Sequence, residues 1–538
     1  MDVSTVLSRA PFGLAAPQVR VEVHLGPGLP AFIIVGLPEA VVRESRERVR
    51  SALVTGGFEF PAGRITVNLS PADLPKEGGR FDLPIAIGIL AASGNIPAGE
   101  LYRREFYGEL SLDGELRRTP KLLPALVEGC RAGRQIIVPA ANALEARFLP
   151  HADIRLASGL TQVCAALRGG AGIPTATDES ASDAAGSRAN TPAAGATAMQ
   201  DAAVLHGGAA LPDLDDVRGQ LAAKRALEIA AAGEHGLLMI GPPGAGKTLL
   251  AQRLPGLLPP LRPEEALEVA CLESIAGRQP RTGRIRPFRN PQHTTSISAL
   301  IGGAMRPGEL SLAHLGVLFL DEVPEFARNA LEALREPLES GVVIVRRLKR
   351  SCEYPAQFQL IAAMNPCPCG YAGDPRGKCH CTAEQVARYR GKISGPLIDR
   401  IDMHVELRAV TVHELLGAEA QAGASGAASA ADAQRRGGTH SSAAVARRVL
   451  AARQAQLQRQ GKPNARLCVS EVSMHCALER EPRALLETAV VRLGLSARAC
   501  HRVLKVARTC ADLAGEPRLL TMHVAEAVQL RAMDRAGG

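Results

Sequence analysis

The chain has 538 residues, a net charge of +9 and 46% hydrophobic residues. That length exceeds what one hydrophobic core organises and points to about three or four domains. The longest apolar run, Leu83 to Ala92, is too short to cross a bilayer, and the N-terminus lacks the basic start and apolar stretch of a signal peptide. A cytoplasmic protein with no membrane partner is therefore expected, its twelve cysteines present as thiols or metal ligands.

In chain order, Val19, Val21, Val23 and Leu25 alternate with polar residues, and a GPGLP turn leads into AFIIV. The pair reads as a β-hairpin. Glu39 to Val54 has helical spacing, RITVNLS predicts another strand, and Phe81 to Ala92 predicts a buried helix, which gives an α/β domain over residues 1–167. Residues 168–211 hold few large apolar side chains, too few to offset their ordering entropy, and read as a flexible linker. Residues 212–408 read as a core domain. Residues 409–538 read as a helical domain with a disordered insertion at about 418–442 and helix caps at Ser496 and Thr521.

The core carries the chemistry. A strand-like run, Gly236 to Ile240, opens into Gly241, Pro242, Pro243, Gly244, Ala245, Gly246, Lys247 and Thr248, and the helical LLAQRL follows. Strand, glycine-rich loop and helix in that order make a phosphate-binding loop for ATP with Mg2+. Gly241, Gly244 and Gly246 let backbone N–H groups wrap the phosphates, Lys247 reaches the β- and γ-phosphates, and Thr248 offers magnesium an oxygen. Val317 to Leu320 is an apolar strand ending in Asp321 and Glu322. Asp321 suits magnesium and Glu322 suits a general base that polarises water. A third strand, Phe358 to Ala363, ends at Met364 and Asn365; the Asn365 amide would orient that water, or else serve as a turn residue before Pro366.

Cys367, Cys369, Cys379 and Cys381 form two C-x-C pairs that would close a tetrahedral zinc site, with His380 as a substitute ligand and free thiols as the alternative. Two basic clusters also stand out. Arg278, Arg281, Arg284, Arg286 and Arg289 run without an intervening acid, and Arg346, Arg347, Lys349 and Arg350 lie at the turn between two short strands within Gly341 to Tyr354. A solvated surface is the alternative for either cluster. Aromatic residues are 3% of the chain and Trp is absent, so for the Arg346 to Arg350 cluster contact with a phosphate backbone suits better than base stacking.

With LDDVRGQ ahead of the phosphate loop, this series of motifs resembles the AAA+ ATPases, which implies a parallel sheet with helices on both faces and a helical lid. The runs RPFRNPQHTTSISALIGG, GELSLAHLGVLFLDE, AAMNPCPCGY, YRGKISGPLIDRID and LSARACHRVLKVARTCADL resemble the magnesium-chelatase-like family and, within it, the ComM/YifB branch. The resemblance implies a homo-hexameric ring in which Arg400 is the arginine finger for a neighbouring subunit's ATP and Arg498 is the second sensor, with Arg502 or Arg508 as alternatives. It further implies a basic hairpin in the central pore. The implied activity is a motor that drives branch migration on single-stranded or branched DNA during transformation and homologous recombination, with recombination proteins as partners.

The first domain resembles the Lon protease catalytic fold, of ribosomal S5 type. Its PKEGGRFDLPIA places Arg80 where a protease carries its serine, so no serine-lysine peptidase is expected. Two other readings stay open: a chelatase-type motor subunit acting with a partner, and a protein remodeller. The chelatase reading calls for an integrin-type metal site, and the one D-x-S-x-S match, Asp178 to Ser182, has no apolar strand ahead of it.

Overall fold

A computed structural model describes residues 3–36, 40–176, 212–281, 283–347, 350–373, 377–409 and 441–531. Asp178 to Ser182, most of the expected linker and nearly all of the expected insertion lie outside the described residues.

The N-terminal elements are β1 (Val3–Arg9), β2 (Gln18–Gly26), β3 (Ala31–Val35), α1 (Ala40–Thr55), β4 (Arg64–Ser70), α2 (Asp82–Ala92), β5 (Arg104–Phe106), α3 (Leu123–Arg131), β6 (Gln135–Pro139), β7 (Ile154–Ala157) and α4 (Leu160–Leu167). The strands form one sheet in the order β3-β4-β2-β1-β5-β6-β7. The expected hairpin is not formed. β2 pairs antiparallel with β1 and β4, and β3 lies beyond β4, parallel to it. The reason is burial: Ile65, Val67 and Leu69 of β4 join Val19, Val21 and Val23 on the buried face, whereas β3 is only partly buried along its length. Helix α2 is apolar all round beyond its first residue, Asp82, and every residue except Ala91 is buried. Its Gly88 lies where a Cβ would stand 2.5 Å from Val23 Cγ2, so only glycine lets helix and sheet approach this closely. Beyond α4 the chain stays packed: Pro174 O accepts from Leu156 N–H at 3.0 Å and Ile173 is buried.

The central elements are α5 (Leu221–Gly233), β8 (Leu237–Ile240), α6 (Lys247–Arg253), α7 (Pro263–Ile275), β9 (Phe288–Arg289), β10 (Val317–Leu320), α8 (Arg335–Ser340), β11 (Val342–Arg347), β12 (Arg350–Pro355), β13 (Gln359–Met364), α9 (Ala383–Arg390) and β14 (Met403–Glu406). Their main sheet is parallel throughout, in the order β9-β10-β13-β8-β14. Strands β8, β10 and β13 are buried at every position, which is why they read as apolar runs, with Gln359 at the start of β13 the one polar residue among them. The carboxyl ends of these three neighbours lie side by side, the crevice where open α/β sheets bind ligands.

The C-terminal helices are α10 (Ser442–Gln460), α11 (Arg480–Leu493), α12 (Ala497–Ala514) and α13 (Thr521–Gln529). Ser496 caps α12, its Oγ accepting from Ala499 N–H at 3.1 Å. Thr521 is the first residue of α13 rather than its cap; His523 Nδ1 accepts from Leu520 N–H at 3.2 Å there. This helical domain docks on the core through ion pairs as well as apolar packing. Arg225 meets Glu526 at 2.9 Å, Arg448 meets Glu228 at 2.6 Å, and Arg502 pairs with Asp402.

The N-terminal domain also docks on the core. Leu122, Leu123 and Leu126 pack with Ala270 and Cys271 of α7, and Leu14 reaches into both cores. Among the described residues no helix is long and apolar enough to cross a membrane.

His404 on β14 is fully buried, and burial, followed by the nearby Arg531 guanidinium, holds its pKa down at about 3. Its unfolded value is about 6.5, so the unfolded chain binds the extra proton first and stability falls as pH drops from about 6.5 toward 3, by up to about 1.4 kcal/mol per pH unit. Urea unfolding at pH 7.5, 6.5 and 5.5 will show this loss. His404→Leu is expected to flatten the slope by one proton, and an unchanged slope would refute the assignment.

Candidate nucleotide site and four-cysteine loop

The loop between β8 and α6 takes its shape from its glycines. Gly244 and Gly246 have φ of +75° and +88°, in the left-handed region that a side chain disfavours. Gly241 is needed for a different reason: a Cβ there would stand 2.9 Å from both Leu407 Cβ and Leu407 O, just past β14.

Lys247 begins α6 and is buried. Its Nζ donates to Gly241 O at 2.6 Å, Pro242 O at 3.0 Å and Asn365 Oδ1 at 3.0 Å. Three acceptors satisfy an ammonium's three donors, which fixes the charge at the mouth of the loop. Burial lowers the Lys247 pKa, and the Asp321 and Glu322 carboxylates oppose that shift. Thr248 Oγ1 donates to Asp321 Oδ2 at 2.7 Å, so a hydroxyl and a carboxylate from different elements face one point. That pair of hard oxygens fits Mg2+.

Glu322 follows Asp321 with φ +51°, a left-handed conformation rare outside glycine, and its N–H donates to Asp321 Oδ1 at 3.0 Å. The turn leaves the Glu322 side chain exposed. Pro243 to Leu249, Asp321, Glu322, Met364 and Asn365 line one pocket. The structure thus brings together Lys247, Thr248, Asp321, Glu322 and Asn365 from three parallel strand ends.

Arg400 and Arg498 are not among the lining residues. They meet each other instead, through Glu339 at the end of α8: Glu339 Oε1 accepts from Arg400 Nη2 at 2.8 Å and from Arg498 Nη2 at 2.9 Å. One of two glutamates in a six-residue helix, Glu339 carries no sequence signal that marks it out. Arg502 and Arg508 are tied elsewhere, to Asp402 and to Asp512.

Arg346 is exposed on β11, while Val343 and Val345 face inward with Cys352 and Tyr354. The two strands Val342–Arg347 and Arg350–Pro355 pair antiparallel as expected; Lys349 and the side chains of Arg347 and Arg350 lie outside what is described. The other basic run is not a free patch. Arg281 pairs with Glu273 at 3.1 Å and Arg289 with Glu309 at 2.6 Å, Arg278 shares Glu309 at 3.6 Å, and Arg284 and Arg286 donate to backbone carbonyls of Leu261, Pro259 and Leu315. In the N-terminal domain Arg80 is buried, donates to Pro120 O at 2.6 Å and has its pKa lowered by burial to about 10.

The four cysteines converge. All four sulfurs lie within 4.8 Å of one another, with Cys367 3.3 Å from Cys369 and 3.7 Å from Cys379. Tetrahedral zinc at about 2.3 Å from each sulfur sets sulfurs about 3.8 Å apart, so the set fits that ion. Ala372 N–H donates to Cys367 Sγ at 3.2 Å, and Tyr371 N–H, ahead of the Cys367 thiol, draws the Cys369 pKa down to about 6. His380 is exposed and outside the cluster.

Models of magnesium chelatase subunit ChlI match residues 213–415 and 21–142, and the model of its C-terminal region matches residues 439–531. The competence protein ComM of Haemophilus influenzae is 44% identical over 539 residues, covering 99% of this chain and 98% of its own. The chain belongs to the ComM/YifB family of magnesium-chelatase-like AAA+ ATPases. Protein YifB of Salmonella typhimurium, uncharacterized, is 45% identical over 99% of this chain and 98% of its own. The 38 kDa magnesium-chelatase subunit of Cereibacter sphaeroides is 26% identical over only 35% of this chain and 57% of its own. Membership implies ATP and Mg2+, and the donors around Lys247 and Thr248 fit both.

Thr248→Val removes one of the paired hard oxygens while keeping the side chain's shape. Affinity for a fluorescent ATP analogue in the presence of Mg2+ is expected to fall about tenfold or more, with a loss of fold stability near 1 kcal/mol. Mg2+-dependent affinity equal to wild type would remove Thr248 from the metal site.

Proposed function

We propose that the chain is an ATP-hydrolysing motor that works as a homo-hexameric ring on single-stranded or branched DNA. One observation carries the reading: the pocket gathers Lys247, Thr248, Asp321, Glu322 and Asn365, while Arg400 and Arg498 lie together outside it on Glu339. In this reading both guanidiniums serve the pocket of a neighbouring copy, so one chain alone lacks the charge that stabilises the transferring phosphoryl group. Glu322 holds and polarises the attacking water, Asn365 orients it, and Lys247 turns from its loop carbonyls to the phosphates. Thr248 and Asp321 would hold Mg2+, which would supply neutralising charge to the phosphates.

The DNA assignment rests on the ComM relative and on the hairpin of β11 and β12, whose sequence carries Arg346, Arg347, Lys349 and Arg350 at and beside its turn. Such a ring of charge favours phosphate tracking with weak sequence preference and steep salt dependence. Branch migration during the integration of transforming DNA and in homologous recombination, with recombination proteins as partners, is the corresponding cellular task. The chelatase reading is less well supported, because the chelatase subunits align with about a third of this chain while ComM aligns with nearly all of it. The sulfur cluster supports a structural zinc ion.

ATP hydrolysis is to be measured with and without single-stranded and branched DNA at two salt concentrations. Stimulation that fades with salt is expected, and stimulation by neither DNA at either salt rules out the motor. Lys247→Ala should abolish strand displacement. Arg400→Ala should lower kcat about 10^3-fold while leaving nucleotide affinity near wild type; a loss of affinity instead would place Arg400 in its own subunit's pocket.

A further inference from the structure

The segment from Asn365 to α9 leaves the nucleotide pocket and returns to it. Pro366 and Cys367 follow Asn365 directly, and Thr382, one residue past Cys381, caps α9 through Gln385 N–H at 3.3 Å. At its far end α9 comes back to the start of the loop: Arg390 Nε donates to Pro366 O at 3.3 Å, and Tyr389 beside it is buried.

The loop also presses on the phosphate-binding loop. Gly370 has φ +86°, and a Cβ there would stand 2.7 Å from Pro243 Cδ, 2.9 Å from Pro243 Cγ and 3.9 Å from Asn365 Cγ. Asn365 in turn accepts from Lys247. One short stretch thus abuts both Asn365 and Pro243.

We propose that zinc bound by Cys367, Cys369, Cys379 and Cys381 is a support for the nucleotide pocket, fixing Asn365 and Pro243 so that metal loading and nucleotide affinity are coupled. This rests on the zinc reading above and adds the coupling to it. Residues 366–381, PCPCGYAGDPRGKCHC, contain one large ring, Tyr371, and no branched aliphatic side chain, too little apolar surface to hold the loop's shape by packing. Among the described residues of the loop, the sulfurs and their N–H donors make the internal contacts, and metal binding there is itself folding free energy. Four thiolates leave no open position on the ion, so its role here is to hold shape rather than to do chemistry.

Coupling is reciprocal, so it can be read on intact wild-type protein. Metal analysis should give one zinc per chain; no metal, or iron in its place, overturns the zinc reading and this inference with it. Zinc release to a metallochromic chelator is then followed with and without saturating Mg-ATP. Release slowed several-fold by nucleotide is expected, and identical release in both conditions overturns the coupling while leaving the zinc assignment intact. Gly370→Ala approaches from the other side: it removes no ligand but drives a methyl group into Pro243. It should keep one zinc per chain and bind a fluorescent ATP analogue about tenfold more weakly. Wild-type affinity in that variant would show that the loop does not bear on the pocket.

Discussion

Asp402 holds three parts of the chain at one point. It sits just ahead of β14, buried, and its Oδ2 accepts from Gly236 N–H at 3.0 Å, where β8 begins. The same carboxylate faces His235 Nδ1 at 3.4 Å and pairs with Arg502 of the helical domain. Burial alone would raise its pKa, but the Arg502 guanidinium and His235 more than offset that and keep it below the usual carboxylate range. A carboxylate in so dry a place is held only because its partners are complete, and removing one would leave a buried charge uncompensated. This contact ties the start of β8 to the start of β14 and fastens α12 to both.

From that anchor the geometry of the nucleotide site unfolds. β8 lies between β13 and β14, and the phosphate-binding loop emerges from its carboxyl end beside Asn365 on one side and Leu407 on the other. The docking of α12 also decides where Arg498 goes. Arg502 reaches Asp402 beside the start of β8, and Arg498, four residues earlier, reaches Glu339 rather than the pocket at the far end of the same strand. A helical domain seated on the strand starts leaves its second-sensor candidate beside Arg400, on a part of the surface apart from its own phosphate loop.

The phosphate loop, Asp321 with Glu322, and Asn365 were legible because each depends on local rules: a glycine pattern, or a polar residue at the end of a buried parallel strand. The buried α2 and the basic hairpin were legible for the same reason. Pairings between distant segments were not. AFIIV follows a turn after β2 and reads as its hairpin partner, yet β4 takes that place because its alternation matches the buried face of β2. The run from Arg278 to Arg289 reads as a free positive patch because its acids, Glu273 and Glu309, lie outside the run and only the fold brings them near. The contact of Gly370 with Pro243 is likewise a meeting of two loops 127 residues apart in sequence.

The N-terminal sheet meets the basic hairpin through a loop. Gly13, at φ +56°, lies where a Cβ would be 2.6 Å from Cys352 Sγ on β12, and Leu14 beside it is packed into the cores of both domains. Close-packed interiors compress little, so a push on the root of the hairpin passes into the seven-stranded sheet instead of being absorbed. The first domain is then an anvil, against which the root of the hairpin at Cys352 is braced through Gly13 and Leu14.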